Sequence, residues 1–234
     1  SYIPAAYAED RTDGATPIQQ DLDNLRNAGL VYSNIVYDKS PVVLEMLIQR
    51  MGADAFQKGI HDYLMTYGYA NATWDQLIAI LSKYTERDLI HWSQVWVKEP
   101  GMPVLQAYVS GDSLHVEESD PRDRGFVWPQ QLKYRVCEEG TTEDVMLEIG
   151  DTDRIQSVKL THTYEKPSIL PNIDGRGYGY FRLGSTDSEA AFACLDTTND
   201  DVLKGSLLIT LYENLQYGTL DADYYLKSLL TYLK

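Results

Sequence analysis

Tyr37 stands in "YSNIVYDKSPVVLEML" (32–47), where a tyrosine, a charged pair and a proline run straight into large apolar side chains. A phenol held out of a core can donate its O–H to a growing negative charge, whereas a buried phenol finds one hydrogen-bond partner and stops there. With 18 tyrosines in the chain, composition alone favours the packing account. The four histidines, His61, His91, His115 and His162, include no pair four residues apart and no HExxH, so no metal site built inside the chain is expected. Cys137 and Cys194 form no CxxC, which argues against a zinc knuckle and a redox pair. Two separate buried thiols are expected, with a single disulfide as the alternative.

Three further motifs invite chemistry and have simpler accounts. In "PNIDGRGYGYF" (171–181), Asn172, Asp174 and Gly177 are spaced like the start of a calcium loop, but Leu183 stands where its closing Glu belongs. Gly175, Gly177 and Gly179 lack the final spacing and following helix of a dinucleotide site, so a glycine-rich bend entering a strand is expected. "NAT" at Asn71 meets the glycosylation pattern, which is frequent by chance. Tyr178, Tyr180 and Trp128 would serve a carbohydrate-binding sandwich only if their rings lay outside the core.

The elements that must position these residues change rhythm along the chain. Residues 1 to about 35 open with turn formers, and Ile18, Leu22 and Leu25 then mark a modest surface helix stopped at Gly29. Ser40 is the expected cap of the next helix with Pro41 at its first position, and Val43, Leu44, Met46 and Leu47 make it buried on most sides until Gly52. Phe56, Ile60, Tyr63, Leu64 and Tyr67 form one helical stripe, Thr73 with Gln76 a capping box, and Thr85 with Asp88 the start of a helix carrying Leu89, Trp92 and Trp96. From Pro103 the period becomes two, at Leu105/Ala107/Val109, Leu114/Val116, Leu132/Tyr134/Val136 and Val145/Leu147/Ile149, with another run around Val158 and Leu160. Helical spacing returns at Asp187, with Leu207 to Leu215 closed by Gly218 and a last helix capped by Asp221.

The 234 residues, 44% hydrophobic and 24% charged, have the make-up of an ordinary globular protein with room for more than one core. A net charge of −15 without a basic cluster argues against nucleic acid and against an anionic membrane surface. The apolar runs fall short of the roughly 20 residues that span a bilayer. No signal peptide is recognisable, and both a cytoplasmic and an exported, periplasmic location stay open.

The block "VYDKSPVVLEMLIQRMGADAFQKGIHDYLMTYGYANATWDQLIAILSKYTERDLIHWSQVWVKEPGMPVL" resembles the aminopeptidase N family of zinc metallopeptidases. The likeness rests on Tyr37, Asp38 and Lys39, then Gly52, Phe56, Gly59, Tyr63, Tyr67, Tyr69, Asn71 to Thr73 and Leu77, then Trp92, Trp96, Gly101 and Pro103. Asp38 and Ser40 stand where the family has Glu and a small Gly or Ala. "PNIDGRGYGYFRL" and the helices after Leu203 extend the resemblance over most of the chain.

The resemblance implies an α+β chain in three parts: the helical carboxyl-terminal part of a thermolysin-like peptidase domain (1–102), a small antiparallel β-sandwich (103–185), and the start of a helical domain (186–234). It implies an aminopeptidase acting on peptides, with zinc held by HExxH and a downstream Glu that precede the tyrosine in the family and are not found in this chain. The one catalytic residue it carries over is Tyr37, as donor to the oxyanion of the tetrahedral intermediate. With Ser1 rather than Met at the start and a helical rhythm still running at the end, the expectation is a fragment of a longer enzyme, inactive alone. The alternative is a peptidase-like scaffold or binding module without catalysis.

Overall fold

The computed structural model describes every residue except Ser1, Tyr2, Asp21, Asp23, Leu25, Asn27, Ala28, Leu30 and Lys234. The chain is α+β and divides into two compact units, Ser1–Gly101 with Trp128–Gln130, and Met102–Val127 with Gln131–Lys234.

The first unit is helical: α1 Ile3–Asp10, α2 Ser40–Met51, α3 Ala53–Tyr67, α4 Trp74–Leu81 and α5 Leu89–Ser93. Five-residue π-turns, Ile35–Lys39 and Gln94–Lys98, run directly into α2 and out of α5. The capping box forms as its spacing predicts: the Gln76 amide donates to Thr73 Oγ1 at 3.3 Å, and the Thr73 amide to Gln76 Oε1 at 2.9 Å. Gly52, at φ +82°, ends α2. Helix α3 meets α4 at Gly59, where an added Cβ would stand 2.6 Å from Leu81 Cδ2, but the stripe is not buried as a whole, since Leu64 is 61% exposed.

Several expectations in this unit need correction. The opening residues form α1, because Pro4 falls in the first turn, where its missing N–H has no helical partner to lose. No helix follows Pro17 at Ile18, Gln19, Gln20 or Leu22, since the Gln19 amide donates instead to the Val97 carbonyl at 2.9 Å; Leu25 lies outside the described residues. Thr85 is not the cap of α5: Asp88 is, accepting the His91 amide at 2.8 Å. Helix α2 buries Val43, Met46 and Leu47 but leaves Leu44 42% exposed, on the rim of an apolar groove of about 470 Å³ shared with Pro41, Trp74 and Val97.

The second unit has two sheets, in the orders β5-β2-β1-β7 and β4-β3-β6. The strands are β1 Val104–Ser110, β2 Ser113–Ser119, β3 Gln130–Glu138, β4 Thr141–Ile149, β5 Ile155–Lys159, β6 Ser168–Leu170 and β7 Tyr180–Arg182. Alternate residues of both sheets, among them Leu105, Leu114, Leu132, Tyr134, Val136, Leu147 and Ile149, meet in one apolar core. The sandwich is not wholly antiparallel, because β7 runs parallel to β1, with Leu105 opposite Phe181. The chain reaches β7 from β6 in the other sheet, and this crossing lets β7 enter alongside β1.

Helices α6 Ser185–Thr197, α7 Asp201–Gln216 and α8 Ala222–Tyr232 pack a second core around Phe192, Leu207, Leu211 and Tyr225. Asp200 and Asp221 cap α7 and α8, and Gly218, at φ +70°, follows α7. Asn214, 1% exposed, ties α7 to β7 and the next loop: its Nδ2 donates to the Phe181 and Thr210 carbonyls, each at 2.8 Å, and its Oδ1 accepts from the Leu183 amide and Thr219 Oγ1. Burial pushes the thiols of Cys137 and Cys194 up, and both are free. No helix among the described residues is long and apolar enough to cross a membrane.

Candidate active-site turn at Tyr37

Tyr37 lies in the middle of the π-turn Ile35–Lys39, and its side chain is 61% exposed. Among the described residues its ring is not part of a core. Its ring touches that of Tyr32, with centroids 5.8 Å apart and planes tilted by 50°. Among the described residues its hydroxyl has no hydrogen-bond partner, so the donor is unspent.

The turn is wide because Pro41 follows it. In an unbroken α-helix the proline ring would press on the carbonyl of Tyr37, four residues back, and leave it without a donor. The chain lengthens the turn by one residue instead: the Ser40 amide donates to the Ile35 carbonyl, five residues back. Ser40 Oγ then donates to the Val36 carbonyl that the amide has skipped. Ser40 is therefore not an N-cap; it stitches the π-turn to α2, and the helical path is continuous through Lys39.

Both ends of the turn are held by the last two residues of α1. At the start, the Glu9 carboxylate accepts from the Asn34 amide at 3.1 Å, Asn34 Nδ2 at 2.8 Å and the Ile35 amide at 3.4 Å. The two backbone amides are orphan donors of a helix start, and the Asn34 side chain does not cap them. At the other end, Lys39 Nζ lies 2.9 Å from Asp10 Oδ2, with both side chains 0% exposed. The same ammonium donates to the Gly101 carbonyl at 2.7 Å, and the Gly101 amide donates to Asp10 Oδ1 at 3.2 Å. Sequence reasoning missed Glu9 and Asp10 altogether; the only signal was Lys39 beside Tyr37 in the family-like block.

The other candidate residues do not gather around Tyr37. His61 lies on α3, His91 on α5, His115 on β2 and His162 after β5. Among the described residues no three His, Cys, Asp or Glu side chains are grouped to hold a metal ion, so these residues do not fit a zinc site. Tyr178, Tyr180 and Trp128 are buried, which overturns the carbohydrate-platform idea. Asn172 closes the glycine-rich bend on itself, accepting the Gly177 amide at 2.7 Å and donating to the Gly177 carbonyl at 3.1 Å, so that loop keeps its own polar groups occupied.

Residues 2–96 match the peptidase family M1 domain. Aminopeptidase M1-B of Oryza sativa subsp. japonica is 32% identical over 186 residues, covering 75% of this chain and 21% of the relative. Aminopeptidase N of Lactobacillus helveticus is 37% identical over 113 residues, 48% of this chain and 13% of the relative. Aminopeptidase N of Streptomyces lividans is 30% identical over 108 residues, 46% of this chain and 13% of the relative. The chain is a member of the aminopeptidase N-like family. It spans about a fifth, or less, of the length of these curated relatives.

Proposed function

We propose that this chain is the part of a zinc aminopeptidase that follows the metal ligands in sequence and supplies one catalytic group, the hydroxyl of Tyr37. The substrate class is peptides, from which the parent enzyme removes amino-terminal residues. Residues 1–102 would then be the helical end of a thermolysin-like domain, 103–185 its companion sandwich and 186–234 the opening of a further helical domain. The zinc of the parent enzyme would be held by residues outside this chain.

The observation that carries the reading is the exposed Tyr37 phenol, without a partner among the described residues, on a turn held at both ends. As a peptide carbonyl becomes tetrahedral, negative charge grows on its oxygen. A preoriented O–H stabilises that oxygen more than it stabilises the ground-state carbonyl, and so lowers the barrier. The clamped turn supports such a role because a donor that needs no reorganisation keeps its full effect.

The test is Tyr37→Phe in the full-length enzyme, with kinetics on aminoacyl-anilides. The expected result is a fall in kcat of roughly a hundredfold or more with KM within about twofold. Unchanged kcat would return Tyr37 to the surface and favour the scaffold alternative. The chain by itself is expected neither to bind zinc one-to-one nor to hydrolyse these substrates, and stoichiometric zinc by elemental analysis would overturn the assignment of the ligands to other residues.

A further inference from the structure

A π-turn of five residues is a poor device for aiming a side chain unless something outside it fixes its rotation. Its hydrogen bonds are those of a helix with one residue too many, and they set the pitch of the turn without fixing the direction in which it faces. Here two outside holds come from consecutive residues of one helix. Glu9 takes the amides at the start of the turn, where a carboxylate also meets the positive end of the helix dipole. Asp10 takes the ammonium at its end, in a place from which water is excluded. Tyr37 lies between them, three residues after Asn34 and two before Lys39.

A buried ion pair adds little net stability compared with an apolar pair of the same size, because two charges have left water to form it. What it supplies is a single geometry. Lys39 reaches Asp10 Oδ2 and the Gly101 carbonyl together, and the observed azimuth of the turn satisfies both. The phenolic oxygen of a helical tyrosine stands roughly 9 Å from the helix axis, so a rotation of about 10° moves it by about 1.5 Å. A displacement of that order at a catalytic group costs about a hundredfold in rate.

We propose that Glu9, Asp10 and Lys39 are positioning residues for Tyr37: they lock the rotation of the π-turn and so aim the phenol. The proposal rests on the reading of Tyr37 as an oxyanion donor and adds residues that act only through it. None of the three needs to touch substrate. If they act through Tyr37, their effect on turnover vanishes when its hydroxyl is gone; if they only hold the fold together, it persists.

The experiment is a double-mutant cycle in the full-length enzyme: wild type, Lys39→Met, Tyr37→Phe and the double variant. Each is measured well below its unfolding temperature and corrected for the folded fraction. Lys39→Met is expected to lower kcat about tenfold or more with KM within about twofold, and to change kcat by less than about twofold in the Tyr37→Phe background. An equal loss in both backgrounds would mean that Lys39 is structural and would overturn the proposal, as would unchanged kcat in Lys39→Met. If Tyr37→Phe alone keeps full turnover, the oxyanion reading itself has failed and the positioning proposal falls with it. Should Lys39→Met not fold, the cycle is repeated with Glu9→Gln. That variant leaves the ion pair intact and removes one acceptor from the start of the turn, and the same non-additivity is expected at about threefold or more.

Discussion

Lys39 and Asp10 meet at 2.9 Å with neither side chain reaching solvent, and the Gly101 backbone closes the pair from both sides, donating to the carboxylate and accepting from the ammonium. Removing one charge leaves the other buried without its counterpart. Asp10→Asn is therefore expected to destabilise the first unit by on the order of 3 kcal/mol. Asp10→Leu combined with Lys39→Met should restore part of that loss, because neither member of the pair is then left charged in a buried site, while the Gly101 amide and carbonyl each lose a partner. All four tryptophans, Trp74, Trp92, Trp96 and Trp128, belong to this unit, so urea unfolding followed by tryptophan fluorescence reads the effect directly.

Asn214 joins α7, β7 and the loop at Thr219 through both ends of its amide. Truncation would strand the Phe181 carbonyl and the Leu183 amide at a site that is almost fully buried. Asn214→Ala is expected to cost on the order of 3 kcal/mol, with faster amide exchange at Leu183 as the local signature. Exchange protection unchanged at Leu183 would count against it.

Two glycines predict opposite signs for the same substitution. At Gly177 a Cβ would lie 2.4 Å from Leu132 Cδ2 and 3.2 Å from Phe181 Cζ, so Gly177→Ala should destabilise by about 1–3 kcal/mol through overpacking. Gly205 lies within α7 with nothing inside 4 Å of its added Cβ, and Gly205→Ala should stabilise by up to about 1 kcal/mol by restricting the unfolded chain and favouring helix. Thermal melts of the two variants give the comparison.

Arg135 holds Asp144 across neighbouring strands at 2.7 and 3.0 Å, which keeps the carboxyl below its ordinary 3.8; partial burial opposes the shift. A depressed folded-state pKa adds stability above the ordinary value and loses it as pH falls through the folded one. Since both side chains are about a third exposed, the contribution is on the order of 0.5 kcal/mol. Asp144→Asn should flatten that part of the stability profile between about pH 5 and about pH 3, checked by urea midpoints across the range.

What could be read before folding was local, or carried by the family-like block. Thr73 with Gln76 is a capping box because its partners are three residues apart, and the strands from Leu105 to Ile149 announce themselves by alternation. Gly52 and Gly218 mark helix ends by the positive φ they allow. The setting of Tyr37 is of another kind. Its turn depends on a carboxylate 25 residues away and its lysine on a carbonyl 62 residues away, distances at which no periodicity operates. The same holds for β7, whose parallel pairing follows from a change of sheet. Ser40 misled because Ser-Pro before an apolar run has the form of a helix start; here the helix had already begun.

Because Glu9 and Asp10 pin one side and Asn34 and Lys39 the other, the chain leaves the turn's support and comes back to it at nearly the same place. Two separate contacts, one at each end of the turn, thus close the connection between Asp10 and Asn34. Because doubling the length of a closed connection costs only about 0.6 kcal/mol in closure entropy, the stability of the turn is set by the clamp itself rather than by how many residues it closes.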